Sequence, residues 1–262
     1  MKRMHLGIAA VALACCAVAA RATPTYFFGE DPSAGGVVDP AKAPATERAA
    51  FLSSLAGGVT SIGFESFALG TTAPLALGFA GSGGTIGATL STAAGLVTDA
   101  SSQPITKRFN TTAGGANWWD GRGDFELSFA DPIAALGFYA TDVGDFGSSL
   151  QLALTDTTGA VTNVTVPNSL GGDNASLLFW GFLDKDVSYT KIAFSGFFDN
   201  ASGSLDAMGF DDFVAADAGQ LGGGTPPGTV PEPGSLALVA GSLGALAWSV
   251  RRRHSRPATG DV

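Results

Sequence analysis

Residues 125–166 read FELSFADPIAALGFYATDVGDFGSSLQLALTDTTGAVTNVTV. Apolar side chains recur on every second position: Phe125, Leu127 and Phe129; Leu136, Phe138 and Ala140; Leu150, Leu152 and Leu154; Val164 and Val166. A period of two places these residues on one face of an extended chain, so each run is predicted to be a half-buried strand. Asp131-Pro132, Gly144 to Gly147 and Thr157 to Gly159 separate the runs with turn-forming residues. Asp156 to Gly159, between two alternating runs, reads as a hairpin loop.

The same pattern continues outward through Ile62 and Phe64, through Ile86, Ala88 and Leu90, and through Ile192 and Phe194. About ten short strands at this spacing predict a mainly β fold, an antiparallel β-sandwich of jelly-roll type. One short helix is expected before it, over Thr46–Leu55, with Thr46 as the cap and Gly57-Gly58 as the stop. The domain plan is then a leader over 1–22, an N-terminal segment with the helix over 23–58, the sandwich over 59–218, a Gly/Pro linker over 219–229, a C-terminal signal over 230–256 and a tail over 257–262.

The two ends are built differently from the middle. Lys2 and Arg3, the apolar stretch from Leu6 to Ala20, and Ala20-Arg21-Ala22 have the order of a secretory signal peptide, with cleavage by signal peptidase expected before Thr23. Cys15 and Cys16 leave with that leader. At the other end Val230-Pro231-Glu232-Pro233 precedes an uncharged run, Gly234 to Val250, and the basic residues Arg251, Arg252, Arg253 and Arg256. Seventeen helical residues span about 25 Å, just enough to cross a bilayer. Basic flanks stay cytoplasmic, so the preceding chain is expected on the outer side of the inner membrane, in the periplasm, while in transit.

This order of Val-Pro-Glu-Pro, short apolar helix and arginine cluster resembles the PEP-CTERM sorting signal. The resemblance implies recognition and processing by an exosortase near Pro231 to Pro233, followed by delivery to the cell surface or extracellular matrix, in association with exopolysaccharide and biofilm. Gly63-Phe64-Glu65-Ser66-Phe67, Pro132 to Asp142 and Gly209-Phe210-Asp211-Asp212-Phe213 are similar to ectodomains that carry this signal, which implies a β-sandwich but no defined activity.

Composition narrows the chemistry of the middle. Between Thr23 and Val230 there are 21 acidic and 7 basic residues, a net charge of −14, which repels phosphate backbones and excludes nucleic acid as a partner. The same stretch contains no His and no Cys. A Ser-His-Asp triad, a thiol nucleophile and a His-ligated zinc are therefore excluded there.

Three sets of residues remain as candidates. Trp118 and Trp119 are adjacent, so on a strand they face opposite ways and the core takes only one; with Asn117 and Asp120 they could form an aromatic and polar surface on which a sugar of an extracellular polysaccharide stacks. The alternative is that both rings pack under a long loop. Asp142 and Asp145, in a Gly-rich turn, could donate two carboxylates to calcium, the one cofactor considered. A glycan-active enzyme could draw on Glu65, Glu126, Asp142 and Tyr139, but their spacing selects none of them. In Phe210-Asp211-Asp212-Phe213 strict alternation sends one carboxylate inward, where it needs a partner. The composite expectation is a non-catalytic exported surface protein, with a carbohydrate-binding module as the alternative and a carboxylate-based enzyme behind it.

Overall fold

The computed structural model describes residues 23–102, 107–169, 174–197 and 205–222. The leader with Cys15 and Cys16, and the entire C-terminal signal with Val230, Pro231, Glu232, Pro233, the apolar run and Arg251, Arg252, Arg253 and Arg256, lie outside them. No helix among the described residues is long and apolar enough to cross a membrane.

The elements in chain order are β1 (Thr25–Asp31), α1 (Ala43–Ser53), β2 (Ser61–Ile62), β3 (Leu75–Gly81), β4 (Gly84–Thr92), β5 (Gly95–Asp99), β6 (Asn117–Gly121), β7 (Phe125–Ile133), β8 (Ala135–Thr141), β9 (Gln151–Asp156), β10 (Val161–Thr165), β11 (Leu177–Leu183), β12 (Tyr189–Ser195) and β13 (Met208–Ala216), followed by a 3-10 turn, Ala218–Gln220. They form two antiparallel sheets, one ordered β1-β11-β8-β13-β6-β5 with β2 against β13, the other ordered β10-β9-β12-β7-β4-β3. The fold is mainly β, two sheets with one helix, as the alternation predicts.

The sheets differ in what covers them. In the second sheet one face is buried and one is wet, so β3, β4, β7, β9 and β12 alternate between core and surface. In the first sheet every residue of β8, β11 and β13 is buried, because the outer face is also covered. Strands buried on both faces lose the period of two.

Part of that cover is α1. It starts at Ala43, three residues before the expected Thr46, and no side chain caps it; the Thr46 hydroxyl donates instead to the Lys42 carbonyl at 3.1 Å. Pro44 lies in its first turn, where the missing N–H costs nothing and the fixed φ suits a helix. Phe51, fully buried, is its anchor. Its ring lies directly on the sheet because Gly137 and Gly181 face it; a Cβ on Gly137 would come within 2.8 Å of the Phe51 ring and 2.9 Å of Phe179.

Between the sheets the core is aromatic. Phe125, Phe138, Phe194, Phe210 and Phe213 contact one another with centroid separations from 4.3 to 6.4 Å. Phe210 and Phe213 lie on the same side of β13, which corrects the strict alternation expected there. A bulge shifts the β13–β8 register between Asp211 and Val214, and Asp212 takes a positive φ of 52°. The extra residue puts both phenylalanines in the core and both aspartates on the outer face.

Candidate functional site

The outer face of the first sheet next to α1 is covered by the segment 107–117, and acidic side chains hold it there. Asp211, fully buried, accepts from the Thr111 N–H at 2.7 Å, the Thr112 N–H at 3.1 Å and Asn110 Nδ2 at 3.1 Å. Asp212 accepts from the Thr111 and Thr112 hydroxyls, each at 3.2 Å, and from Ser61 Oγ at 2.8 Å. Glu65 takes the other end, accepting from Asn110 Nδ2 and the Ala116 N–H at 2.9 Å and from the Asn117 N–H at 3.0 Å. Burial, opposed by the N–H donors, pushes Asp211 up to about 7. The sequence signal for this clamp was two acids in an otherwise apolar strand, since a buried carboxylate must find donors; the donors at 110–112 had no signal of their own.

Beneath the segment lies a second polar group. Arg108 Nε sits 2.6 Å from Asp120 Oδ1, its Nη1 lies 3.5 Å from Asp142 Oδ2, and it donates to the Ala207 carbonyl at 3.0 Å. Arg122 Nε donates to Asp120 Oδ2 at 2.7 Å. Asp120, fully buried, therefore lies between two guanidinium groups, which compensate a charge that would otherwise be costly inside.

This arrangement fixes the tryptophans. Trp119 joins the aromatic core between the sheets, 6.4 Å from Phe64. Trp118 points to the opposite face, as adjacency requires, and is also fully buried, its Cδ1 beside Gly209 together with the Cβ of Arg108. Asn117 uses its amide to donate to the Phe67 carbonyl at 3.2 Å. Neither indole presents a face to solvent, so the structure takes the covered-loop alternative and not an open stacking surface at Asn117, Trp118, Trp119 and Asp120.

The acids considered for glycan chemistry are dispersed. Glu65 is in the clamp, Asp142 is paired with Arg108, and Glu126 lies on the outer face of the second sheet, 3.3 Å from Lys191 Nζ. Tyr139 is buried under Arg48, whose guanidinium carbon lies 5.6 Å from the ring centroid, and burial raises its hydroxyl to about 12. No two of these four form a paired cleft.

Asp142 and Asp145 stay near enough for the Asp145 charge to act on Asp142, but they take different partners. Asp142, at φ 63°, accepts from the Ala175 N–H at 3.1 Å besides its contact with Arg108, and burial pushes it up to about 6. Asp145 turns toward Asp206, a residue with no sequence signal linking it to this turn. Asp206 is fully buried and accepts from the Gly144 N–H at 3.0 Å and from the Ser148 hydroxyl. Burial first, and the Asp145 carboxyl against it, raise Asp206 to about 7. Among the described residues no three His, Cys, Asp or Glu side chains gather as a metal centre.

Part of the open surface of the second sheet, over β3, β4 and β7, is lined by small side chains. A depression of about 420 Å³ lies over Ala76, Gly87, Thr89, Ser128 and Ala130. A second cavity, of about 300 Å³, sits at the β3–β4 turn beside Ser82, Thr85, Asp131 and Asp217.

No curated protein matches the chain. Among solved structures it is similar to a mutant of a family 29 carbohydrate-binding module, with a TM-score of 0.26 and 9% identity over 80% of this chain and 100% of that one. It is also similar to a family 61 carbohydrate-binding module in complex with β-1,4-galactotriose, with a TM-score of 0.23 and 14% identity over 49% of this chain and 85% of that one. Scores this low carry no inference about ligand. Residues 229–253 match the model of the PEP-CTERM protein-sorting motif. The chain is thus a β-sandwich protein that carries a C-terminal PEP-CTERM sorting signal.

Proposed function

We propose that the chain is exported, recognised at its C-terminal motif by an exosortase, and delivered to the cell surface or the exopolysaccharide layer as a non-catalytic structural component. The observation that carries this reading is the sorting motif at 229–253. The character of the sandwich supports it. Its acids hold a loop to the sheet, and part of its open sheet face is lined by small side chains. A net charge of −14 between Thr23 and Val230 suits a hydrated matrix rich in cations. Signal peptidase removes the leader, and the apolar run 234–250 holds the precursor in the inner membrane until processing.

Pro231 and Pro233 keep Glu232 out of the following helix, leaving an extended segment for a processing enzyme to grip. Replacing both prolines with alanine in the native host should leave an uncleaved precursor in the membrane fraction, detected by immunoblot. Normal release of that variant would refute the reading.

A further inference from the structure

The acidic groups of the sandwich differ in one respect. Asp211, Asp212, Asp120 and Asp142 all meet N–H, hydroxyl or guanidinium donors. Asp206 Oδ1 and Asp145 Oδ1, by contrast, are buried with no donor, and so is Asn168 Oδ1. The three belong to one end of the sandwich. Gly144 donates to Asp206; a Cβ on Gly144 would meet Asn168 Nδ2; Asn168 Nδ2 donates to the Ser148 carbonyl at 3.3 Å; and the Ser148 hydroxyl donates to Asp206. None of the ion pairs among the described residues involves Asp145 or Asp206.

Two neighbouring carboxyls, each with one buried oxygen that no donor reaches, need something positive between them. A shared proton satisfies one oxygen of the pair and does nothing for Asn168 Oδ1. A hard cation that takes six to eight oxygen ligands in flexible geometry uses all three, with loop carbonyls and water completing the shell. We propose that Asp145, Asp206 and Asn168 form a divalent-cation site of the calcium class, which ties the β8–β9 loop to the chain entering β13 and to the loop after β10. It differs from the Asp142–Asp145 pair suggested by spacing, because Arg108 holds Asp142. The proposal is independent of how the chain is sorted.

Two carboxylates place the affinity in the weak extracellular class, with Kd about 10⁻⁴ M. The test is the melting temperature of the purified full chain in mild detergent, in chelator and then in about 10 mM CaCl₂, a hundredfold excess over that Kd. The midpoint should rise by about 5–10 °C. Asp145→Asn, at a half-exposed position that tolerates the change, should lose most of that rise. Asp156→Asn, in the β9–β10 hairpin, should keep it. Asp206→Asn is the stronger lesion, but the result does not depend on its folding. No rise with calcium, an equal rise in Asp145→Asn, or an equal rise with NaCl at the same ionic strength would each overturn the site, the last by reducing it to charge screening.

Discussion

Replacing Asp211 with alanine removes the acceptor that holds the segment 107–117 to the sheet. Three backbone donors lose their partner: Thr111 at 2.7 Å, Thr112 at 3.1 Å and the Asp212 N–H at 2.8 Å. Thr111 and Asp212 are buried, and each stranded N–H costs about 1–3 kcal/mol. Thr112 is half-buried and water can reach it, and loss of repulsion between Asp211 and Asp212 offsets part of the penalty. The net loss works out at about 3 kcal/mol, a large fraction of a typical total of about 5–15 kcal/mol. Urea unfolding at pH 7 followed by tryptophan emission should show a lower midpoint with an unchanged slope. Asp211→Asn keeps the shape and one carbonyl acceptor and should lose about 1 kcal/mol. Freeing the segment should also let the backbone at Lys107, already exposed, and at Arg108 enter trypsin's active site under native conditions in the alanine variant. A loss below about 1 kcal/mol for Asp211→Ala, with no new cleavage, would refute the clamp.

Other perturbations test other parts of the structure. Gly137→Ala drives a methyl into the Phe51 and Phe179 rings and should cost about 1–3 kcal/mol of stability in the same urea assay. Trp119→Ala should behave as a core truncation, losing about 3–5 kcal/mol, and the folded fraction should bind host polysaccharide no differently from wild type by titration calorimetry. Asp142, Asp206 and Asp211 hold their protons to about 6, 7 and 7 in the fold, against 3.8 ordinarily. Between about pH 4 and 7 the folded chain therefore binds more protons than the unfolded one, so in chelator its unfolding free energy should fall as pH rises through that window and level off above it. Added calcium should flatten that decline by displacing the proton at Asp206.

The second sheet was legible because one of its faces meets water. Phe125, Leu127 and Phe129, or Leu150, Leu152 and Leu154, alternate for that reason. The first sheet was harder to read because α1 and the segment 107–117 cover its outer face. LLFWGFL over 177–183 then reads as an undivided apolar run, and β1 and β5 likewise show no clear alternation. The β13 bulge was invisible because one inserted residue leaves composition unchanged while moving Asp212 to the other face. The Asp156–Gly159 hairpin was readable from its turn chemistry, and Asp156 Oδ1 does accept from the Thr158 N–H at 2.7 Å and the Ala160 N–H at 2.9 Å. For the tryptophans adjacency gave one ring on each face but left open whether the outer ring is covered, since the covering loop is set by Arg108, Asp211 and Glu65 from distant parts of the chain. Asp145 and Asp206 meet only in three dimensions.

The most direct measurement is the intact mass of the protein recovered from outside the cell that makes it. Processing at both ends predicts a chain that begins at Thr23 and lacks everything from Gly234 onward. An extracellular or cytosolic species at the full 26.3 kDa, with leader and arginine cluster still attached, would contradict the account.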